Sequence, residues 1–338
     1  MIKVGFDISQ LAHFGGVTTY TQNLALKLQE NKDLEMVYFY SSLRRPYRGN
    51  LKNVKKFKLP PTFFEVLFNR IHNVPIERFI GPLDIFHSSD WVQPPTKAKK
   101  VTTYHDLVPL KYPQWSHPKI VAVHKRRLEL VEKEVDLVIT VSEATKKDLL
   151  EISRIPEEKI VVIYEGVEDR YKILPKNEVK AFKDRYNLPE TFILAIGGIG
   201  ERRNLANIKQ ATKNYNLVVT RETVNIPHDE MPLLYNAADL LLYPSFYEGF
   251  GLPILEAQAC GTPVITSNLS SMPEIAGEAA LLVDPEDIEA ITKQIKSIME
   301  SKTLQQELSE KGLKRAKEFS WMKCAEDTIN AYRKVMNH

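Results

Sequence analysis

Two glutamates, Glu248 and Glu256, flank a glycine-rich turn in the segment Tyr243-Pro-Ser-Phe-Tyr-Glu248-Gly-Phe-Gly-Leu-Pro-Ile-Leu-Glu256. An apolar run ends near Tyr243, and Leu252-Pro253 opens a helical pattern; proline in a first helical turn sacrifices no hydrogen bond. The amides of Gly249, Phe250, Gly251 and Leu252 therefore belong to a helix N-terminus, where they can hold a phosphate. Carboxylates beside an anion are unfavourable unless they accept hydrogen bonds, and sugar or ribose hydroxyls are suitable donors. The chemistry this spacing suits is binding of a phosphorylated sugar. From these residues alone a plain strand–turn–helix stays open, with one solvated glutamate and one partner of the helix dipole.

Other segments carry compatible chemistry. In Glu201-Arg202-Arg203-Asn-Leu205, after the Gly197-Gly198 turn, two adjacent guanidinium groups suit diphosphate oxygens, which they can grip in bidentate fashion. A charge run of this kind also reads as a solvated face. His105 and Asp106, in Thr102-Thr-Tyr-His-Asp-Leu-Val-Pro109, close an apolar run, the position where an open α/β sheet builds its site. His13-Phe-Gly15-Gly16-Val17 lacks the dinucleotide G-x-G-x-x-G spacing and so argues against a nicotinamide cofactor. Its paired glycines permit close backbone approach by a ligand, or a tight turn and nothing more. Seven basic residues (Arg44, Arg45, Arg48, Lys52, Lys55, Lys56 and Lys58) run without an acid into Phe63-Phe64-Glu-Val-Leu-Phe68. Such a cluster is either a solvated loop or a surface for anionic lipid, at about 1 kcal/mol per favourably placed charge.

The elements that must position these residues follow from periodicity. Short β-branched runs at Ile2–Ile8, Glu35–Tyr40, Ile85–Ser88, Lys100–Tyr104, Leu137–Val141 and Ile160–Ile163 form one series. A second comprises Phe192–Ile196, Leu217–Thr220, Leu240–Tyr243, Pro263–Thr266 and Ala280–Val283. Helical patterns separate them, which implies parallel sheets covered on both faces. Two series predict two doubly wound Rossmann-like domains, over 1–170 and 171–318, with their boundary in Arg170–Pro189. The final segment, 319–338, predicts a helix packing back on the first domain. Ligands of open sheets bind beyond the carboxyl ends of the strands, so the expectation is a cleft between the two domains.

The totals agree with this architecture. The 338 residues suit two domains, and 43% hydrophobic with 26% charged residues is ordinary globular composition. A net charge of +3 argues against nucleic acid as a partner. The excess lies in residues 1–165, with 25 Lys and Arg against 19 Asp and Glu. Cys260 and Cys324, without metal spacing, read as reduced core residues of a cytoplasmic protein. No metal-ligand cluster stands out, the N-terminus reads as a strand rather than a leader, and no run approaches a membrane span.

The Glu-x7-Glu pair within Glu248-Gly-Phe-Gly-Leu-Pro-Ile-Leu-Glu256, continuing through Ala-Gln-Ala-Cys260-Gly-Thr-Pro to Pro285, resembles the signature of glycosyltransferase family 4. The HDL-P segment at His105–Pro109 with Tyr112-Pro113, the Gly15-Gly16 loop, and the segments Asp84–His87, Val138–Glu143 and Ile163–Val167 extend the resemblance over most of the chain. It implies the GT-B fold and retaining, metal-independent transfer of a hexose from a GDP- or UDP-sugar. The acceptor would be a hydroxyl on a glycan or lipid-linked glycan, and the first half is most like the mannosyltransferase branch. By the same resemblance, Glu248 contacts the transferred sugar, Glu256 the ribose hydroxyls, and His105 the reacting carbon's surroundings. Gly249, Phe250, Gly251 and Leu252 cradle the sugar and diphosphate, and Gly15 and Gly16 lie by the diphosphate and acceptor. Arg203 takes the diphosphate at the family's lysine position, beside Arg202. The site implied is therefore His105, Glu248 and Arg203 for catalysis, in a cytoplasmic enzyme that can touch the inner, anionic membrane face. Between Asn204 and Ala238 the chain departs from the family pattern. Roughly one strand and one helix replace a longer series that helps hold the nucleobase. A nucleotide-sugar 2-epimerase of the same fold, or a nucleotide-sugar-binding scaffold without activity, are the rival readings; the Glu-x7-Glu pair favours transfer.

Overall fold

The computed structural model describes residues 1–13, 15–89, 91–198 and 200–337. The chain divides into two compact units, Met1–Gly166 with Trp321–His338, and Val167–Ser320. All eleven expected strands form, each within one residue of its expected ends.

The first unit holds seven parallel strands: β1 (Ile2–Asp7), β2 (Leu34–Ser41), β3 (Val54–Phe57), β4 (Ile85–Ser89), β5 (Lys99–Tyr104), β6 (Leu137–Thr140) and β7 (Ile160–Val162). Their order is β3-β2-β1-β4-β5-β6-β7. Val4 of β1 stands between Met36 of β2 and Ile85 of β4. Connections on either side of β1 run in opposite directions, so the loop leaving β1 opens a crevice at the carboxyl edge. That loop leads into helix α1 (Gly16–Glu30). Central strands are buried on both faces, as continuous apolar runs in parallel sheets must be. The C-terminal helix Trp321–Met336 belongs to this unit and buries Trp321, Cys324, Ala325, Thr328, Ile329, Tyr332 and Val335, one stripe at helical spacing.

Strand β3 is the element the sequence concealed. Its Lys55 and Lys56 are exposed on an edge strand, where charge blocks further pairing and hides the apolar alternation that marks inner strands. The aromatic stretch after it also turns inward. Phe64 and Phe68 are buried with Phe39, Phe57 and Phe79, leaving Phe63 and Val66 exposed. The stretch is thus mainly core rather than an apolar surface.

In the second unit, β8 (Ile193–Ala195), β9 (Leu217–Val219), β10 (Leu240–Tyr243), β11 (Val264–Ser267) and β12 (Leu281–Val283) lie parallel in the order β12-β11-β10-β8-β9. Ile193, Leu240, Leu242 and Ile265 pack against Ile291, Ile295 and Ile298 to form its core. Helices α2 (Leu205–Ala211), α3 (Met231–Ala237), α4 (Leu252–Ala259) and α5 (Met272–Ala276) follow strand ends or loops near the carboxyl edge. The stretch from Asn204 to Ala238 supplies α2, β9 and α3, and among the described residues β9 is an edge of this sheet.

Candidate active site

The turn between β10 and α4 is fixed from behind by two serines. Ser270 Oγ and Ser271 Oγ donate to the carbonyl of Glu248 at 2.6 and 2.9 Å, and Ser271 Oγ also lies 2.7 Å from the carbonyl of Phe250. Gly251, at φ +109°, precedes the first residue of α4 in a conformation that side chains strain to adopt. Phe250 is buried with its ring 6.0 Å from that of Phe319. Glu248 is therefore held on a rigid loop at the open end of the sheet.

Its carboxylate meets the arginine turn. Arg203 Nη1 lies 3.1 Å from Glu248 Oε1, and Arg202 Nη1 lies 3.7 Å from Oε2, with the Glu248 side chain only 8% exposed. The Arg203 guanidinium also lies 4.9 Å from the Tyr243 ring centroid, a cation–π contact. The turn is tied to the same loop twice. Phe246 N donates to Arg202 O at 2.8 Å, and Asn204 Nδ2 donates to the carbonyls of Pro244 and Pro285 at 3.1 and 2.6 Å. Asn204 takes φ +57°, a left-handed conformation that asparagine tolerates well. Gly197 allows the strand before it to approach β9. A Cβ there would sit 2.0 Å from Thr220 O, while its amide donates to Thr220 Oγ1 at 2.9 Å. Two guanidinium groups against one carboxylate leave a positive excess beside a helix N-terminus, an arrangement suited to a diphosphate. Ile199, in the Gly197–Ile199 segment before the arginines, lies outside the described residues.

Glu256 is buried one turn into α4, and Tyr235 Oη donates to its Oε2 at 2.7 Å. Burial pushes its carboxyl up to about 7, against the opposing effect of the Tyr235 and Tyr171 hydroxyls. Two tyrosine hydroxyls of its own unit thus face this carboxylate.

In the first unit, His105 follows β5 directly and is buried, with Nδ1 3.3 Å from Glu165 Oε1. Tyr20 of α1 presents an edge-on ring contact at 4.5 Å and bonds through its hydroxyl to Thr103 Oγ1 at 3.1 Å. In the tautomer that donates Nδ1–H to Glu165, Nε2 is the acceptor nitrogen of the ring. Asp106 Oδ1 accepts from Val108 N at 3.1 Å, which gives it a turn-forming role beside the histidine. Gly15, at φ +135°, precedes α1, and a Cβ there would meet no atom within 4 Å. Phe14 of this loop lies outside the described residues. Behind the site His87 bonds to Thr103 and to Tyr332, both at 2.7 Å, and burial holds its imidazole down at about 3. It is a structural neutral histidine.

Residues 118–315 match the family described as glycosyl transferases group 1, and residues 14–171 match glycosyltransferase family 4. An O-antigen chain mannosyltransferase B of Escherichia coli is 32% identical over 282 residues, 74% of this chain and 74% of that protein. The chain belongs to the group 1 glycosyltransferases. It is a glycosyltransferase built of two parallel-sheet α/β units of the GT-B type. Among solved structures, sucrose-phosphate synthase from Thermosynechococcus elongatus superimposes with a TM-score of 0.80 over 100% of both chains at 20% identity. Anabaena Alr3699/HepE, solved in complex with UDP and glucose, does so with a TM-score of 0.74 over 99% of this chain and 100% of that one, at 14% identity.

Within the glycosyltransferase, the second unit gathers Arg202, Arg203, Glu248, Gly249, Phe250, Gly251, Leu252 and Glu256 around the β10–α4 turn. The first unit places His105 directly after β5 and Gly15 and Gly16 at the mouth of α1, in segments that follow β5 and β1 of one sheet. The partners of these groups were not singled out from sequence. Glu165 lies in Ile163–Val167 and Ser270-Ser271 in the long family-like segment, so the resemblance marks their segments without assigning them a role. Asn204 stands in the arginine motif itself. Tyr235 and Tyr171, which surround Glu256, carry no local signal, because only the fold brings them to α4.

Proposed function

We propose that this glycosyltransferase moves a hexose, mannose in the first instance, from a nucleotide diphosphate-sugar to a hydroxyl of a glycan or lipid-linked glycan, with retention and without a metal. The observation that carries the reading is the paired Arg202 and Arg203 meeting Glu248 beside the α4 N-terminus. Mannose is favoured by the identity with the mannosyltransferase, and a nucleotide donor by the UDP complex of the HepE structure.

The roles follow from charge. When the bond between the anomeric carbon and the diphosphate oxygen breaks, negative charge grows on the leaving group. Arg203, Arg202 and the amides at the start of α4 are fixed before reaction, and such preorganised donors supply a large share of barrier lowering. Glu248 keeps the guanidinium groups oriented and takes hydrogen bonds from sugar hydroxyls. Glu256 accepts from ribose hydroxyls beside the tyrosines that face it. The acceptor hydroxyl attacks the face the diphosphate leaves, and its proton passes to the departing phosphate oxygen. His105, oriented by Glu165, positions the sugar.

A panel of GDP- and UDP-sugars, each with glycan acceptors, tests this reading, with product anomers assigned by nuclear magnetic resonance. Transfer with retention from one donor, lowered more than about tenfold in Glu248→Ala, is expected. Nucleotide binding without transfer to any acceptor would favour a binding protein, and an inverted product would remove the proposed geometry.

A further inference from the structure

In the second unit one carboxylate meets two guanidinium groups, through charge more than through aligned hydrogen bonds. Arg203 Nη1 lies 3.1 Å from Glu248 Oε1, and Arg202 Nη1 lies 3.7 Å from Oε2. Oε1 is buried and yet accepts no hydrogen bond among the described residues, so the Arg203 N–H points away from its lone pairs. The backbones on both sides are fixed. Ser270 and Ser271 hold the Glu248 carbonyl, Phe246 N holds that of Arg202, and Asn204 bridges the carbonyls of Pro244 and Pro285. A change of partner must therefore come from the three charged side chains. Arg202 and Arg203 leave 25% and 17% of their side-chain surface exposed against 8% for Glu248, so the guanidinium groups form the solvent-facing side of the cluster.

Phosphate oxygens in the planes of the guanidinium groups make shorter and better aligned bonds than this carboxylate does. A diphosphate on both arginines brings its charge against the Glu248 carboxylate, unless that carboxylate turns to neutral donors. Hydroxyls of the transferred sugar are such donors. We propose that Glu248 exchanges partners in each turnover and so distinguishes the donor from the spent nucleotide, an assignment that rests on the transfer reading above. The donor diphosphate takes Arg202 and Arg203 from the carboxylate while the sugar hydroxyls take the carboxylate up. Once the sugar has left for the acceptor, the carboxylate returns to the arginines and displaces the nucleoside diphosphate. The exchange itself forms and breaks only ion pairs and hydrogen bonds. Coupling of this kind is reciprocal, with each group tightening the hold on the other by the same factor, commonly about 5- to 150-fold.

Calorimetric titration of the full chain with inorganic pyrophosphate, GDP and UDP tests it. Pyrophosphate probes the arginines whichever base the enzyme takes. Glu248→Gln, uncharged and nearly equal in volume, should bind pyrophosphate and the accepted nucleoside diphosphate at least about fivefold more tightly than wild type. Loss of a merely structural contact would weaken them instead. Glu248→Asp keeps the charge in the turn but draws it back by one methylene, and should shift affinity the same way by a smaller factor. It serves where circular dichroism shows that the glutamine variant fails to fold. With GDP-mannose and UDP-glucose the gain should vanish in Glu248→Gln, because the sugar hydroxyls lose their charged acceptor. Pyrophosphate affinity unchanged or lowered in both variants overturns the exchange, and so does an equal gain for the nucleotide-sugars. If Arg202→Gln with Arg203→Gln lowers pyrophosphate affinity while the Glu248 variants leave it in place, the exchange falls and the donor reading stands. If the arginine pair has no effect, the donor reading falls and the exchange with it.

Discussion

Replacing Glu256 with glutamine should stabilise the second unit at alkaline pH and leave it unchanged in acid. The carboxyl titrates near 7 in the folded unit, against an ordinary 4.5, because burial disfavours its charged form. As pH falls the folded state takes up this proton first. The stability gained from the neutral form is fully present below 4.5 and is lost as pH rises through 7. At about 1.4 kcal/mol per pH unit, that interval amounts to about 3 kcal/mol carried by the ionised carboxylate at pH 8 and above. Glutamine has nearly the same volume, stays neutral, and its carbonyl can still accept from Tyr235. The difference in unfolding free energy between variant and wild type should therefore be near zero at pH 4.5 and reach about 3 kcal/mol in favour of the variant by pH 8. Urea unfolding across this range isolates the effect, because every other titrating group is common to both proteins. Trp91, Trp115 and Trp321 all belong to the first unit, so circular dichroism or calorimetry must follow the second. A difference that does not change with pH would refute the reasoning. Glu256→Gln should also bind nucleotide more weakly if its carboxylate serves the ribose.

Arg203→Lys removes the fork that reaches Glu248 while stacking on Tyr243, and should lower kcat about a hundredfold in an initial-rate transfer assay. Ser271→Ala leaves the carbonyl of buried Phe250 without its donor and should cost about 2 kcal/mol, read as a lower melting temperature of the second unit. Gly197→Ala drives a Cβ into Thr220 O, so it should destabilise the same unit by more than about 2 kcal/mol in denaturant unfolding. His105→Ala should cut turnover more than about tenfold, and Glu165→Gln by a smaller factor with a displaced pH profile, measured with the donor the panel identifies.

Sequence alone determined the parallel-sheet architecture, because inner strands buried on both faces must be continuous apolar runs between helical patterns. It also located the arginine turn, the Glu248 loop, the Gly15-Gly16 loop and His105, since local chemistry and family resemblance reside in contiguous residues. Charged edge strand β3 escaped it for the converse reason: an edge needs no apolar alternation on both sides. The tertiary structure decided what each group faces. Glu248 is ion-paired with Arg203 and pinned by Ser270 and Ser271 more than twenty residues away. Glu256 lies against Tyr235, and His105 against Glu165, sixty residues on. These contacts join segments distant in the chain through the order of strands in a sheet, and no local pattern encodes them.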